Sequence, residues 1–310
     1  MNPEFTTMDD FAEFIRQHIL DYLPKDKFQN PLVRVDDVVR QNGEHYTGLS
    51  IAKTNYEVSP IIPLEDFYHL HQAGHFHDDI LQTIAEQYLH YQTVAPDISY
   101  LRKWEHVKDR IFARFINIES SDKEYLRQHP TQVLPNSDIG VIWNIEMNEF
   151  VNDENEHAKV TVTHELLRSW NISMDTLAKH AVFSTPKNCH ALIQPLEHVL
   201  PPELRFQIFV PLIMVTNQQQ LHGAIAITYD GVYETVKSML GGDFYVLPSS
   251  IHEVICVEKS QMPVEELLNM VRSINRTELL SQDFLADDVW EFQDGVLISA
   301  ISKMPIVKKY

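Results

Sequence analysis

Cysteine and glycine are scarce in this chain. Two cysteines occur among 310 residues, Cys189 and Cys256. Thiols so far apart make no disulfide framework, so a reducing compartment, the cytoplasm, is the simpler expectation. Nine glycines leave little material for a phosphate cradle, and neither G-x-G-x-x-G nor G-x-x-x-x-G-K-[ST] occurs. No apolar run approaches the roughly 20 residues of a membrane helix. The longest, Phe206 to Val215, contains Gln207 and Pro211 and reads as a buried strand. Met1 to Pro24 is acidic and amphipathic rather than basic and then apolar, so no export signal is expected. Basic residues are outnumbered, 25 Lys and Arg against 44 Asp and Glu, for a formal net charge of −19. That balance opposes direct nucleic-acid binding, which needs cations to displace counterions, and docking on an anionic membrane.

What remains is ordinary globular material. Apolar residues make up 44% and charged residues 22%, enough for a substantial core in one large domain or two. The organising stretch is Tyr229 to Glu258, which reads as helix, strand, turn, strand. Asp230 can cap a helix whose stripe is Val232, Val236, Met239 and Leu240. Gly241-Gly242 stops it. Phe244 to Leu247 and Val254 to Val257 are strands joined across Pro248-Ser249-Ser250.

In chain order, Thr7 to Leu23 predicts a helix with a capping box at Thr7 and Asp10 and a stripe of Phe11, Phe14, Ile15 and Ile19. A hairpin follows, Leu32 to Val39 against Tyr46 to Ala52, with Asn42-Gly43 in its turn. Helices are expected at Leu64 to Gln72, Asp78 to Tyr91 and Ser99 to Asp109. A strand at Ile111 to Ile116 precedes a helix capped by Ser121 and Glu124. Val141 to Met147 and Lys159 to Val162 pair around the acidic tip Asn152 to Glu156. Helices at His164 to Trp170 and Ser173 to Phe183 end at Thr185-Pro186, and Pro195 to Pro202 reads as a connector. The last third predicts strands at Phe206 to Thr216 and Ala224 to Thr228, then the organising stretch. A helix from Pro263 buries Val264, Leu267, Leu268, Val271 and Ile274. Two strands, Val289 to Phe292 and Val296 to Ile301, turn at Asp294-Gly295.

The fold class is therefore α+β, an antiparallel or mixed sheet or sheets with helices on one face. The segments are 1–109, 110–200 and 201–310. Ile111 to Phe183 and Ala224 to Thr277 share the order strand, helix, strand, strand, helix, which suggests a repeat of element order without residue similarity.

L-P-S-S-I-H-E-V at Leu247 to Val254, Y-D-G-V at Tyr229 to Val232 and V-R-S-I-N-R-T at Val271 to Thr277 resemble an uncharacterised bacterial domain-of-unknown-function family, DUF5688, common in gut anaerobes. T-H-E-L-L-R-S-W-N-I at Thr163 to Ile172 and F-A-R-F-I-N at Phe112 to Asn117 extend the resemblance over most of the chain. It implies a shared fold unit and brings no activity, substrate or cofactor. The family's usual mix of polar and aromatic residues is replaced here by F-Y-H-L-H-Q-A-G-H-F-H-D-D at Phe67 to Asp79.

Four places hold candidate chemistry. His69, His71, His75, His77, Asp78 and Asp79 have side chains of metal-ligand type. Among the histidines only His71 and His75 have helical i, i+4 spacing, and a solvated histidine-rich connection is the plainer reading. His164-Glu165 and His252-Glu253 begin the H-E-x-x-H pattern, but Arg168 and Cys256 stand where the second histidine belongs. Ser249, Ser250, His252 and Glu253 invite a nucleophile reading, which also requires an orienting acid and an oxyanion hole, and the G-x-S-x-G elbow is absent. A binding role for this exposed turn fits better. Asn275 and Arg276 close a helix and join the binding candidates, although both suit a helix C-terminus. No metal or cofactor is expected.

A cytoplasmic, non-enzymatic binding or regulatory module is the leading functional expectation, its partner a protein or small ligand. The alternative is a hydrolase, metal-dependent in one version, using the Ser249–His252 turn or the His69–Asp79 cluster. A third is an acidic nucleic-acid mimic that occupies the cleft of a DNA-processing protein.

Overall fold

The computed structural model describes residues 5–26, 28, 31–39, 44–52, 61–94, 99–147, 158–201 and 210–307. The Asn42-Gly43 turn, the acidic tip Asn152 to Glu156 and the start of the expected strand at Phe206 lie outside the described residues. The chain forms two compact units, Met1–Lys103 with Asn148–Ala158, and Trp104–Met147 with Lys159–Tyr310. Among the described residues, three antiparallel sheets and the helices packed on them make an α+β protein. No described helix is long and apolar enough to cross a membrane.

In the first unit, helix α1 (Met8–His18) starts where Thr7 Oγ1 accepts the Asp10 N–H at 3.2 Å and donates to the Asp10 carboxylate at 2.8 Å. That reciprocal cap is the one read from the sequence. Phe11, Ile15 and Ile19 are fully buried, and each contributes roughly 1.5–3 kcal/mol of apolar burial. Eleven residues would not hold a helix in water without that packing. Strands β1 (Leu32–Val39) and β2 (His45–Ala52) pair from Leu32 opposite Ala52 to Val39 opposite His45, and β3 (Ile61–Pro63) adds to β2. Helices α2 (Glu65–Gln72) and α3 (His77–Val94) complete a core around Phe11, Leu49, Ile51, Ile62, Ile84 and Tyr88.

The helix expected over Ser99 to Asp109 is broken. A 3-10 turn (Ser99–Arg102), α4 (Trp104–Val107) and a second 3-10 turn (Lys108–Arg110) replace it. The apolar positions Leu101, Trp104 and Val107 recur every three residues, which suits a 3-10 period better than an α-helical one.

The second unit opens with β4 (Ile111–Asn117), buried along its whole length. Helix α5 (Lys123–Gln128) is capped by Asp122, not by Ser121. One Asp122 oxygen accepts the N–H groups of Glu124 (2.7 Å) and Tyr125 (3.0 Å), while the Ser121 hydroxyl donates back to Asn117 O. Strands β5 (Gln132–Val133) and β7 (Ala158–Thr161) both pair with β6 (Ile139–Met147), which pairs with β4. Helices α6 (His164–Trp170) and α7 (Met174–Asn188) follow. Helix α7 runs through Pro186 instead of ending before it. Proline forfeits one bond near the helix end, and the Cys189 N–H still closes on Thr185 O at 2.8 Å.

The seven-stranded sheet has the order β14-β13-β12-β10-β11-β9-β8, built from β8 (Ala191–Pro195), β9 (Leu212–Asn217), β10 (Phe244–Leu247), β11 (Val254–Glu258), β12 (Trp290–Gln293), β13 (Val296–Ser299) and β14 (Pro305–Val307). Ala224 to Thr228 is not a strand. It lies in a 3-10 helix, Gly223–Thr228, because 223–227 are buried consecutively rather than on alternate faces. The proposed repeat thereby loses its second opening strand.

Helix α8 (Val232–Leu240) has Gly231, at φ +81°, as its N-cap, so Asp230 does not cap it, and Gly241, also at φ +81°, ends it. Val232 and Val236 are buried, but Met239 is 43% exposed. The helix lies mainly against β8, β9, β11 and the 3-10 helix, so its last turn has less sheet beneath it than the stripe suggested. The strands β10 and β11 pair as read, from Phe244 opposite Glu258 to Leu247 opposite Ile255. Helix α9 (Val264–Thr277) buries Leu267 and Val271 against Leu247 and Val257, while Ile274 is exposed near its end.

Candidate functional site

Polar side chains gather where the turn after β9 meets the segment before β11, within the second unit. Asn217 fixes the turn: its side chain donates to Leu221 O at 2.9 Å and accepts the Leu221 N–H at 3.3 Å. Gln220 and His222 are held at φ +52° and +55°, a conformation that costs non-glycine residues energy unless their surroundings over-determine it. Gly223 supplies part of that constraint. A Cβ there would overlap Thr216 Oγ1 and the Asn217 nitrogen, and would lie 2.8 Å from His252 O.

His252 clamps this turn. Its Nδ1 accepts the His222 backbone N–H at 3.1 Å, and its carbonyl accepts the Gly223 N–H at 2.9 Å and the Thr216 hydroxyl at 2.7 Å. An Nδ1 that accepts leaves the proton on Nε2, which faces Asp283 Oδ1 at 3.1 Å. The two side chains of that pair keep 23% and 24% of their surface exposed. The His222 and His252 rings stack with centroids 5.3 Å apart. His222 Nδ1 in turn receives Lys159 Nζ at 2.6 Å.

Deeper groups set the electrostatics. Arg114 is buried and donates to Asn144 Oδ1 (3.0 Å) and Tyr125 OH (3.2 Å). Burial, then the neighbouring Arg114 charge, pushes Lys159 down to about 8, with Cys189 and Glu146 opposing. Burial, with Arg114 and Lys159, holds His222 far below the ordinary histidine range, so it stays neutral. Burial lifts the Cys189 thiol up to about 12. The Tyr229 hydroxyl is buried and meets no hydrogen-bonding group among the described residues.

The candidates read from the sequence divide. His252 is central. Glu253, raised by burial and partly drawn back by His252 and Ser250, lies beside it. Ser250 accepts the His252 N–H at 2.9 Å, and Ser249 contributes its carbonyl to the Leu285 N–H. Neither hydroxyl meets a ring nitrogen of His252. This segment is a bend before β11. Asn275 donates to Ala286 O (3.1 Å) and Asp287 (2.7 Å), so it pins the loop that carries Asp283. Arg276 is exposed.

The histidine-rich segment is arranged differently from its i, i+4 reading. His71 pairs with His77, Nδ1 to Nε2 at 2.9 Å, and not with the exposed His75. His77 is buried, and both rings lie within an aromatic group that includes Phe5, with Phe11 beside His71 and Phe14 beside His77. Among the described residues no three His, Cys, Asp or Glu side chains are grouped to hold a metal ion.

Lys159, His222, Asp283, Arg114 and Tyr229 were not among the sequence candidates. Their positions are far apart in the chain, and one local signal existed: the polar run N-Q-Q-Q-L-H-G at Asn217 to Gly223, directly after an apolar strand.

No curated protein and no solved structure matches the chain. A family model described as "Family of unknown function (DUF5688)" matches residues 8–294, a span that holds every residue of this site. By that match, over most of its length, the chain belongs to the DUF5688 family.

Proposed function

We propose that this chain is a non-enzymatic binding or regulatory module of the cytoplasm that takes a small polar ligand at the Lys159–His222–His252–Asp283 site. The observation that carries the reading is the site's construction: a His252–Asp283 pair about a quarter exposed leads to the part-buried His222 and Lys159, with His222 held in a strained turn. Strain of this kind concentrates at ligand and active sites. Binding fits better than hydrolysis through the Ser249–His252 turn, because both ring nitrogens of His252 are engaged by the fold and neither meets a serine hydroxyl. Two free, buried cysteines agree with a reducing compartment.

Thermal unfolding followed by tryptophan emission tests this. A ligand at a hundred times its Kd should stabilise the protein by about 2.7 kcal/mol. A panel of small carboxylates, phosphates and carbonyl compounds should contain one that raises the Tm of the wild type and not of Lys159→Met. A panel that shifts neither protein at millimolar concentration refutes the proposal.

A further inference from the structure

The amine of Lys159 is placed unlike that of an ordinary surface lysine. Its nitrogen lies 2.6 Å from His222 Nδ1, an imidazole nitrogen that can only accept while the ring is neutral and protonated at Nε2. Among the described residues no carboxylate lies within ion-pair distance of it. By contrast, Lys179, Lys237, Lys259 and Lys303 each pair with an acid. The turn presenting His222 is fixed by Asn217, by the close approach of Gly223 and by the His252 clamp, so the backbone that carries the imidazole cannot move away without breaking several bonds. The groups acting on the amine are His222, Arg114, Glu146 and Cys189, and the Arg114 charge opposes a second positive charge beside it.

We propose that Lys159 is a reactive amine that captures a small aldehyde or 2-oxo acid as a reversible imine. This deepens the binding reading above and rests on it. The Lys159 nitrogen bonds to the carbonyl carbon, and the carbonyl oxygen departs as water with the two hydrogens of the neutral amine, leaving C=N. No oxidant or reductant takes part.

Burial and the Arg114 charge bring the amine down to about 8. At pH 7 roughly a tenth of such an amine is free, against well under a thousandth of an ordinary lysine, a difference of about two hundredfold. The lower basicity reduces intrinsic nucleophilicity, so labelling per residue should be about tenfold or more faster at Lys159.

The experiment uses the full chain, glyoxylate as probe and cyanoborohydride to trap the imine, with peptide mapping by mass spectrometry. Lys179, whose side chain is 73% exposed, is the internal reference. Expected are preferential labelling of Lys159 and a rate inflection near pH 8. The Lys159→Arg protein should lose that adduct while Lys179 labels as before. Labelling that follows side-chain exposure, with Lys159 no faster than Lys179, overturns the inference. If the thermal-shift panel still finds a ligand dependent on Lys159, the binding proposal survives that failure; if it finds none, both fall.

Discussion

Replacing Gly223 with alanine should disable the second unit's polar site and loosen the sheet beneath it. The φ at this residue is not the obstacle; space is. A Cβ would run into the backbone nitrogen of Asn217 and the hydroxyl of Thr216, neither of which is the far end of a flexible side chain. Overpacking of this kind costs about 1–3 kcal/mol. Moving the turn away also stretches the 2.9 Å bond from the Gly223 N–H to His252 O, worth about 1 kcal/mol more. The expected loss is about 2–4 kcal/mol. The control is Gly241→Ala, where φ is +81° and no atom lies within 4 Å of the new Cβ. Backbone strain alone should cost about 1–2 kcal/mol there. Trp104, Trp143, Trp170 and Trp290, the four tryptophans of the chain, all lie in the second unit, so their emission during urea unfolding reports that unit alone. With a slope of about 2 kcal/mol/M, Gly223→Ala should lower the midpoint by about 1–2 M. A midpoint within about 0.3 M of wild type, or a larger loss in Gly241→Ala, would refute the steric argument.

Acid should weaken the first unit through His77, whose affinity for a proton is lowered by burial and by His71, with Asp78 opposing. The unfolded chain takes up that proton first, so this contribution is complete above about pH 6.5 and declines below it by up to about 1.4 kcal/mol per pH unit. Far-UV circular dichroism should show the decline and His77→Leu should flatten it; identical slopes would contradict the assignment. Glu291 is nearly buried between Lys259 and Lys303. Replacing both lysines with methionine should cost about 3 kcal/mol at pH 7, because the carboxylate is left buried without its partners. The cost should shrink at pH 4, and a pH-independent cost in urea unfolding would argue for lost packing instead. Tyr229→Phe removes a buried hydroxyl that meets no partner among the described residues, so stability should hold or rise slightly. A loss above about 1 kcal/mol would mean that the hydroxyl is bonded after all.

Local patterns carried most of the architecture. The cap at Thr7, the β1–β2 pairing and the β10–β11 hairpin rest on spacing between near neighbours, and the structure reproduces them. Failures came where two local rules competed. Ala224 to Thr228 alternates in side-chain size and so resembles a strand, but full burial lets it coil. Asp122 outcompeted Ser121 as a cap because a carboxylate accepts two N–H groups at once. Strand β8 was not read at all, and the connector taken to begin at Pro195 overlaps its last residue, since proline argues against a strand unless that strand lies at an edge. His252 was visible in the sequence as a polar residue in an exposed turn. Lys159 was not, because its partner His222 stands 63 positions away and follows a strand of a different sheet, so only the tertiary packing of the second unit brings them together.

Among the described residues the seven-stranded sheet ends on β8 at one side and β14 at the other, and each of these outer strands contains a proline, Pro195 and Pro305. Proline has no amide hydrogen to offer an incoming chain. An extended segment from a neighbouring molecule would find the donor ladder interrupted on either border, which discourages growth of the sheet from one molecule into the next.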